Sequence, residues 1–132
     1  MSVAGRSVPA VAYDEELAER IRDLLLGEPE LGEQKMFGGL AFLLDGNMAV
    51  CASREGGILV RIDPADREHL LATTAAFPTV MGGRTMKGFL RVDADDLRAD
   101  EQLAAWVGRG RTYARALPAK RRRPANGGFL AM

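Results

Sequence analysis

The chain has 132 residues, balances 18 basic side chains against 18 acidic ones, and is 47% hydrophobic. A chain of this length is expected to form one domain and to bury about two-thirds of its extended surface, so its core needs neither disulfides nor metal. One cysteine and one histidine exclude a disulfide framework and the usual Cys- or His-based zinc sites, and zero net charge excludes a globally basic nucleic-acid binder, although not a local basic patch.

Residues 1–12 are mostly small, surround Pro9, and read as a flexible arm. They lack the continuous apolar core of a signal peptide, and no stretch approaches the roughly 20 apolar residues of a membrane span. The expected location is therefore the cytoplasm. Leu17, Ile21, Leu24 and Leu25 recur at helical spacing behind Asp14, Glu15 and Glu16, acids that suit a helix start. Gly27 and Pro29 stop that helix. Met36 to Leu44 reads as one apolar strand interrupted by Gly38-Gly39, where a bulge or a close backbone approach is expected. Asp45-Gly46 between apolar runs is a hairpin signal, and Asn47 to Ala52 is the return strand. Gly56-Gly57 turns the chain into a third strand, Ile58 to Ile62, which completes a meander.

Asp63-Pro64 starts a short helix, with Leu70 and Leu71 on its apolar side and an end near Thr73-Thr74. Phe77 to Met81 is a short strand, Gly82-Gly83 a turn, and Met86 to Val92 a longer strand. A last helix carries Leu103, Trp106, Val107, Gly110, Ala114 and Leu117 on one face and ends at Pro118. Gly108 and Gly110 are each expected to weaken it by about 1 kcal/mol relative to Ala. The order is α-β-β-β-α-β-β-α. The expected fold class is α+β, a two-layer sandwich with helices covering one face of an antiparallel sheet. The folded domain is expected over residues 13–117. Residues 118–132 carry Lys120, Arg121, Arg122 and Arg123 and read as a basic, disordered tail.

No catalytic constellation is visible. His69 has no nucleophile or orienting carboxylate placed to work with it and reads as a surface histidine. Cys51, between Val50 and Ala52, reads as a buried apolar group with no adjacent cation to activate it. The glycine pairs fit neither a dinucleotide-binding fingerprint nor a phosphate-binding loop. Arg84, Lys87 and Arg91 flank the fourth-to-fifth strand turn, with Lys87, Phe89 and Arg91 on one strand face. They are candidate phosphate contacts, together with Lys120–Arg123. No catalytic, cofactor-binding or metal-binding residue is expected.

The run Lys35-Met36-Phe37-Gly38-Gly39-Leu40-Ala41-Phe42 follows an acidic amphipathic helix. It precedes D-G-N-M-A-V, then L-V-R-I-D-P, then G-G-R-T-M-K-G-F-L-R-V and a helix with Leu103, Ala105, Trp106 and Val107. Over about residues 13–117 this resembles the N-terminal domain of the TfoX/Sxy family of competence regulators, standing alone without the second, helical domain of the full-length regulators. The resemblance implies a secretion-chaperone-like α+β fold. It also implies a transcriptional co-activator that works with a DNA-bound regulator of the cyclic-AMP receptor type. Lys35, Met36, Phe37, Gly38 and Gly39 become the family motif, with a structural or interface role.

The leading expectation is a non-enzymatic interaction module in transcriptional regulation. It would have a protein partner, no cofactor and no membrane contact, and would form a homodimer favoured by open sheet edges. One alternative is a non-specific nucleic-acid binder acting through the basic strand face and tail. The other is a small-molecule-binding or enzymatic domain with a pocket near Gly38-Gly39.

Overall fold

The computed structural model describes residues 13–36 and 38–120. The expected arm (1–12), Phe37, and Arg121, Arg122 and Arg123 of the expected tail lie outside the described residues. Helix α1 spans Glu15–Leu24. Asp14 caps it, its carboxylate accepting the N–H groups of Glu16 and Leu17 at 3.0 and 3.1 Å. Strands β1 (Leu31–Met36), β2 (Gly39–Leu44), β3 (Asn47–Ala52) and β4 (Ile58–Arg61) follow. A 3-10 turn (Pro64–Asp66), capped by Asp63, leads into α2 (Arg67–Thr73). Then come β5 (Phe77–Met81), β6 (Arg84–Val92), a second 3-10 turn (Ala94–Leu97) and α3 (Asp100–Ala116).

The fold is α+β, and the described residues form three helices and one six-stranded antiparallel sheet in the order β1-β2-β3-β4-β6-β5. The helices and strands follow the expected sequence, with one strand added before the meander. That strand corrects the reading of Met36 to Leu44 as a single interrupted run. Met36 closes β1, Gly39 opens β2, and the glycine pair belongs to the turn between them. β1 gave no signal because it is an edge strand. Glu33, Gln34 and Lys35 are all exposed, so its sequence shows no apolar alternation.

The helices cover one sheet face. Leu40, Phe42, Val50, Ile58, Val60, Leu90 and Val92 meet Leu17 and Ile21 of α1, Leu70 of α2, and Leu103, Trp106 and Val107 of α3 in one core. Opposite Phe42 and Leu43, β3 carries an extra residue, Ala49. This bulge sits under α3, where Gly110 and Ala114 let the helix approach the Ala49 backbone. Residues 118–120, placed in the tail by the sequence, lie on the β2–β3 turn. Asn47 Nδ2 donates to the Pro118 carbonyl at 2.9 Å, and the Lys120 N–H donates to the Asp45 carbonyl at 2.6 Å. Among the described residues no helix is long and apolar enough to cross a membrane.

Candidate functional site

Strand alternation leaves a second sheet face that carries no helix among the described residues. One row of cross-strand partners on it reads Ala41, Cys51, Leu59, Arg91, Phe77. The first three are buried and are joined by the partly buried Met36, Leu43 and Met48. One end of this face is therefore apolar. At the other end a cavity of about 270 Å³ is bounded by Gly39, Cys51, Ser53, Arg54, Leu59, Thr79 and Arg91, with Val80, Met81 and Gly82 from the β5–β6 hairpin.

The groups around the cavity are largely committed. Arg91 forms an ion pair with Glu55 Oε1 at 3.1 Å and donates, at 3.4 Å each, to Ser53 Oγ and the Gly56 carbonyl. Its guanidinium also lies 5.7 Å from the centre of the Phe77 ring. The Cys51 thiol is buried, and burial alone pushes it up to about 11. It is a protonated, apolar wall at neutral pH, as its sequence neighbours suggested. The Thr79 hydroxyl is buried and, among the described residues, has no hydrogen-bond partner.

The glycine pair shapes this region. Gly38 has φ +78°, and a Cβ there would come within 2.6 Å of Arg54 Cδ. Gly39 is buried, and a Cβ on it would run into the Ala52 carbonyl oxygen. Both glycines thus let the β1–β2 turn lie against the end of β3. Lys35 and Met36 end β1, Lys35 exposed and Met36 half-buried on the open face.

Of the candidate phosphate contacts, Arg84, Lys87, Arg91 and Lys120 are among the described residues. Arg84 and Lys87 are exposed on β6, where the register with β5 shifts between Thr85 and Leu90, the stretch that holds Lys87. Arg91 is half-buried and paired with Glu55. Lys120 stands at the β2–β3 turn, at the end of the sheet's far half. His69 is exposed on α2. Among the described residues no three His, Cys, Asp or Glu side chains gather as a metal site.

Sequence reasoning missed Thr79, Ser53, Arg54 and Arg61. Thr79 and Ser53 are small polar residues whose burial arises from the hairpin and turn above them, which no local pattern encodes. Arg61 lies 5.0 Å from the Phe89 ring centre and 5.5 Å from that of Tyr113, with its Nε buried and unpartnered among the described residues. Its partners come from distant parts of the chain.

Comparison with known proteins gives one assignment. Residues 23–114 match the family model described as the TfoX N-terminal domain. No curated protein matches the sequence significantly.

Proposed function

The chain belongs to the TfoX N-terminal domain family, and on that premise we propose that it is a non-enzymatic interaction module of transcriptional regulation, working in the cytoplasm through a protein partner. Family membership is the observation that carries the regulatory role. The side chains support binding over catalysis. The one thiol is buried with its acidity suppressed, and the one histidine is exposed on a short helix. The cavity beside Gly39 is lined by Arg54, by Arg91 paired with Glu55, and by the unpartnered Thr79 hydroxyl, and these described groups include no nucleophile paired with a base. Among the described candidate cations, Arg91 is held by Glu55, which weighs against a phosphate-led grip on DNA by that residue. The proposed partner class, a DNA-bound regulator of the cyclic-AMP receptor type, is the one that the resemblance to competence regulators implies.

Fluorescence anisotropy tests this reading. A labelled promoter duplex is titrated with the host's regulator of that type, with and without this chain, at about 200 mM salt. The chain alone is expected to leave the signal unchanged and to raise it once the regulator is bound. An unchanged regulator–DNA signal overturns the partner. Salt-sensitive binding by the chain alone replaces the reading with direct nucleic-acid binding.

A further inference from the structure

Strand β1 is an edge of the sheet, and among the described residues no other segment pairs with its outer side. It has no proline, and its register with β2 runs unbroken over six residues, from Leu31 opposite Leu44 to Met36 opposite Gly39. Three of the devices that blunt an edge, namely bulges, prolines and a very short strand, are missing from it, and its charged residues, Glu33 and Lys35, are of opposite sign.

The phase of its hydrogen bonds follows from the neighbouring hairpin. Asp45 and Gly46, with φ of 53° and 83°, form a two-residue turn, so the flanking Leu44 and Asn47 bond to each other. The backbone groups of Leu44 therefore point away from β1, and those of Leu31 point away from β2. The Asp45 N–H donating to the Glu30 carbonyl at 3.2 Å fixes the same phase. Along β1 the outward N–H and C=O groups thus belong to Leu31, Glu33 and Lys35.

Side-chain direction is equally defined. Glu33 lies on the helix face, where Arg22 of α1 grips both carboxylate oxygens at 2.6 and 2.8 Å. Lys35, two residues on, shares that face and is exposed. Gln34 and Met36 take the open face.

From this edge we propose that β1 is the docking surface for a second copy of the chain, joined antiparallel about a two-fold axis through Gln34. Among the two-fold registers that use the outward backbone groups, one centred on Gly32 leaves Glu33 opposite the apolar Leu31, and three others set charge opposite charge. One sets Glu33 opposite Glu33 and another sets Lys35 opposite Lys35, and like charges facing each other are unfavourable. The third sets Glu33 of each copy opposite Lys35 of the other, so opposite charges meet twice and each pair exchanges both backbone hydrogen bonds. In that register Met36 of each copy faces Gly32 of the other on the open side, where no side chain obstructs it. The two apolar patches of Met36, Ala41 and Leu43 become neighbours in one continuous sheet. Helix α1, tied to β1 through Arg22, faces its symmetry mate across the axis. Its end carries two exposed leucines, Leu24 and Leu26. This pairing holds whether or not the regulatory reading does.

Sedimentation velocity of the full chain over rising concentration tests the proposal, with circular dichroism to confirm that each variant is folded. The wild type is expected to dimerise reversibly. Lys35→Glu and Glu33→Lys are each expected to raise the dimer Kd about ten-fold or more, because each turns both attractive pairs into repulsive ones. An equimolar mixture of the two variants restores opposite charges at both pairs and is expected to recover the dimer. A wild type that stays monomeric throughout overturns the proposal. So does a dimer indifferent to Lys35→Glu, or variants that are each impaired but fail to complement when mixed.

Discussion

At Gly39 an added Cβ would meet the Ala52 carbonyl oxygen and lie 3.2 Å from the Cys51 sulfur. Gly39 has no positive φ, so the need for glycine there is one of space rather than of backbone conformation. Neither contact is with the free end of a flexible side chain, so the strand itself must shift. Gly39→Ala is expected to destabilise the fold by roughly 1–3 kcal/mol, the usual range for overpacking a tight core. Urea denaturation reads this directly, and an unchanged midpoint would show that β2 can move away from β3 without penalty. Gly38 differs. Its φ of +78° is the constraint, and the atom in the way is the side chain of Arg54. The sequence singled out the pair, yet a turn and an interrupted strand look alike in one dimension. Only the pairing of Met36 with Gly39 separates them.

Helix α3 shows how an element can contradict propensity. Two glycines in a helix interior are each unfavourable against alanine, and the sequence treats Gly108 and Gly110 alike. The structure separates them. A Cβ on Gly108 would make an ordinary 3.6 Å contact with the Arg111 side chain, whereas one on Gly110 would run into the Ala49 carbonyl oxygen at the β3 bulge. Gly108→Ala is therefore expected to stabilise by up to about 1 kcal/mol. Gly110→Ala is expected to destabilise by roughly 1–3 kcal/mol despite the same gain in propensity. Thermal melting of the two variants side by side checks this, and a shift of the same sign in both would refute the close approach of α3 to β3. Local chemistry located other elements well. Asp14 caps α1, Asp63-Pro64 opens the turn before α2, and Asp45-Gly46 makes the β2–β3 hairpin.

Across the whole molecule, arginines tie distant segments together. Arg115, near the end of α3, reaches Asp45 at 2.9 Å, Glu28 at 3.0 Å and the Pro29 carbonyl at 2.6 Å. It thereby fastens α3 to the β2–β3 turn and to the loop before β1. Arg22 joins α1 to β1 through Glu33, and its guanidinium holds the Glu33 carboxyl below the ordinary value of 4.5. A carboxyl with a lowered folded-state pKa stabilises the fold fully above its unfolded value. That contribution disappears as the pH falls through the lower, folded value. Wild type is thus expected to exceed Glu33→Gln in stability near neutral pH. Both side chains are about one-third exposed, at 35% and 33%, so the excess stays below about 1 kcal/mol. The gap should close on acidification. Denaturation at about pH 7 and about pH 3 checks it, and a gap of equal size at both would remove the ion pair as its cause.

By itself the sequence determined the class of fold, the three helices, most strands and the family resemblance. These rest on spacing, capping and turn chemistry, which act between residues close in the chain. It also placed Cys51 as an inert buried group, because no cation stood beside it. Tertiary structure decided the rest. β1 exists because β2 offers it a partner, since its own polar sequence has no period to betray it. Gly39 and Gly110 are constrained by carbonyls 13 and 61 residues away in the chain, at Ala52 and Ala49. The β3–β4 turn brings Glu55 to Arg91, a partner 36 residues away that no local pattern encodes. The open edge that β1 presents exists only once the order of strands in the sheet is known, because an edge is a property of the whole sheet rather than of any strand in it.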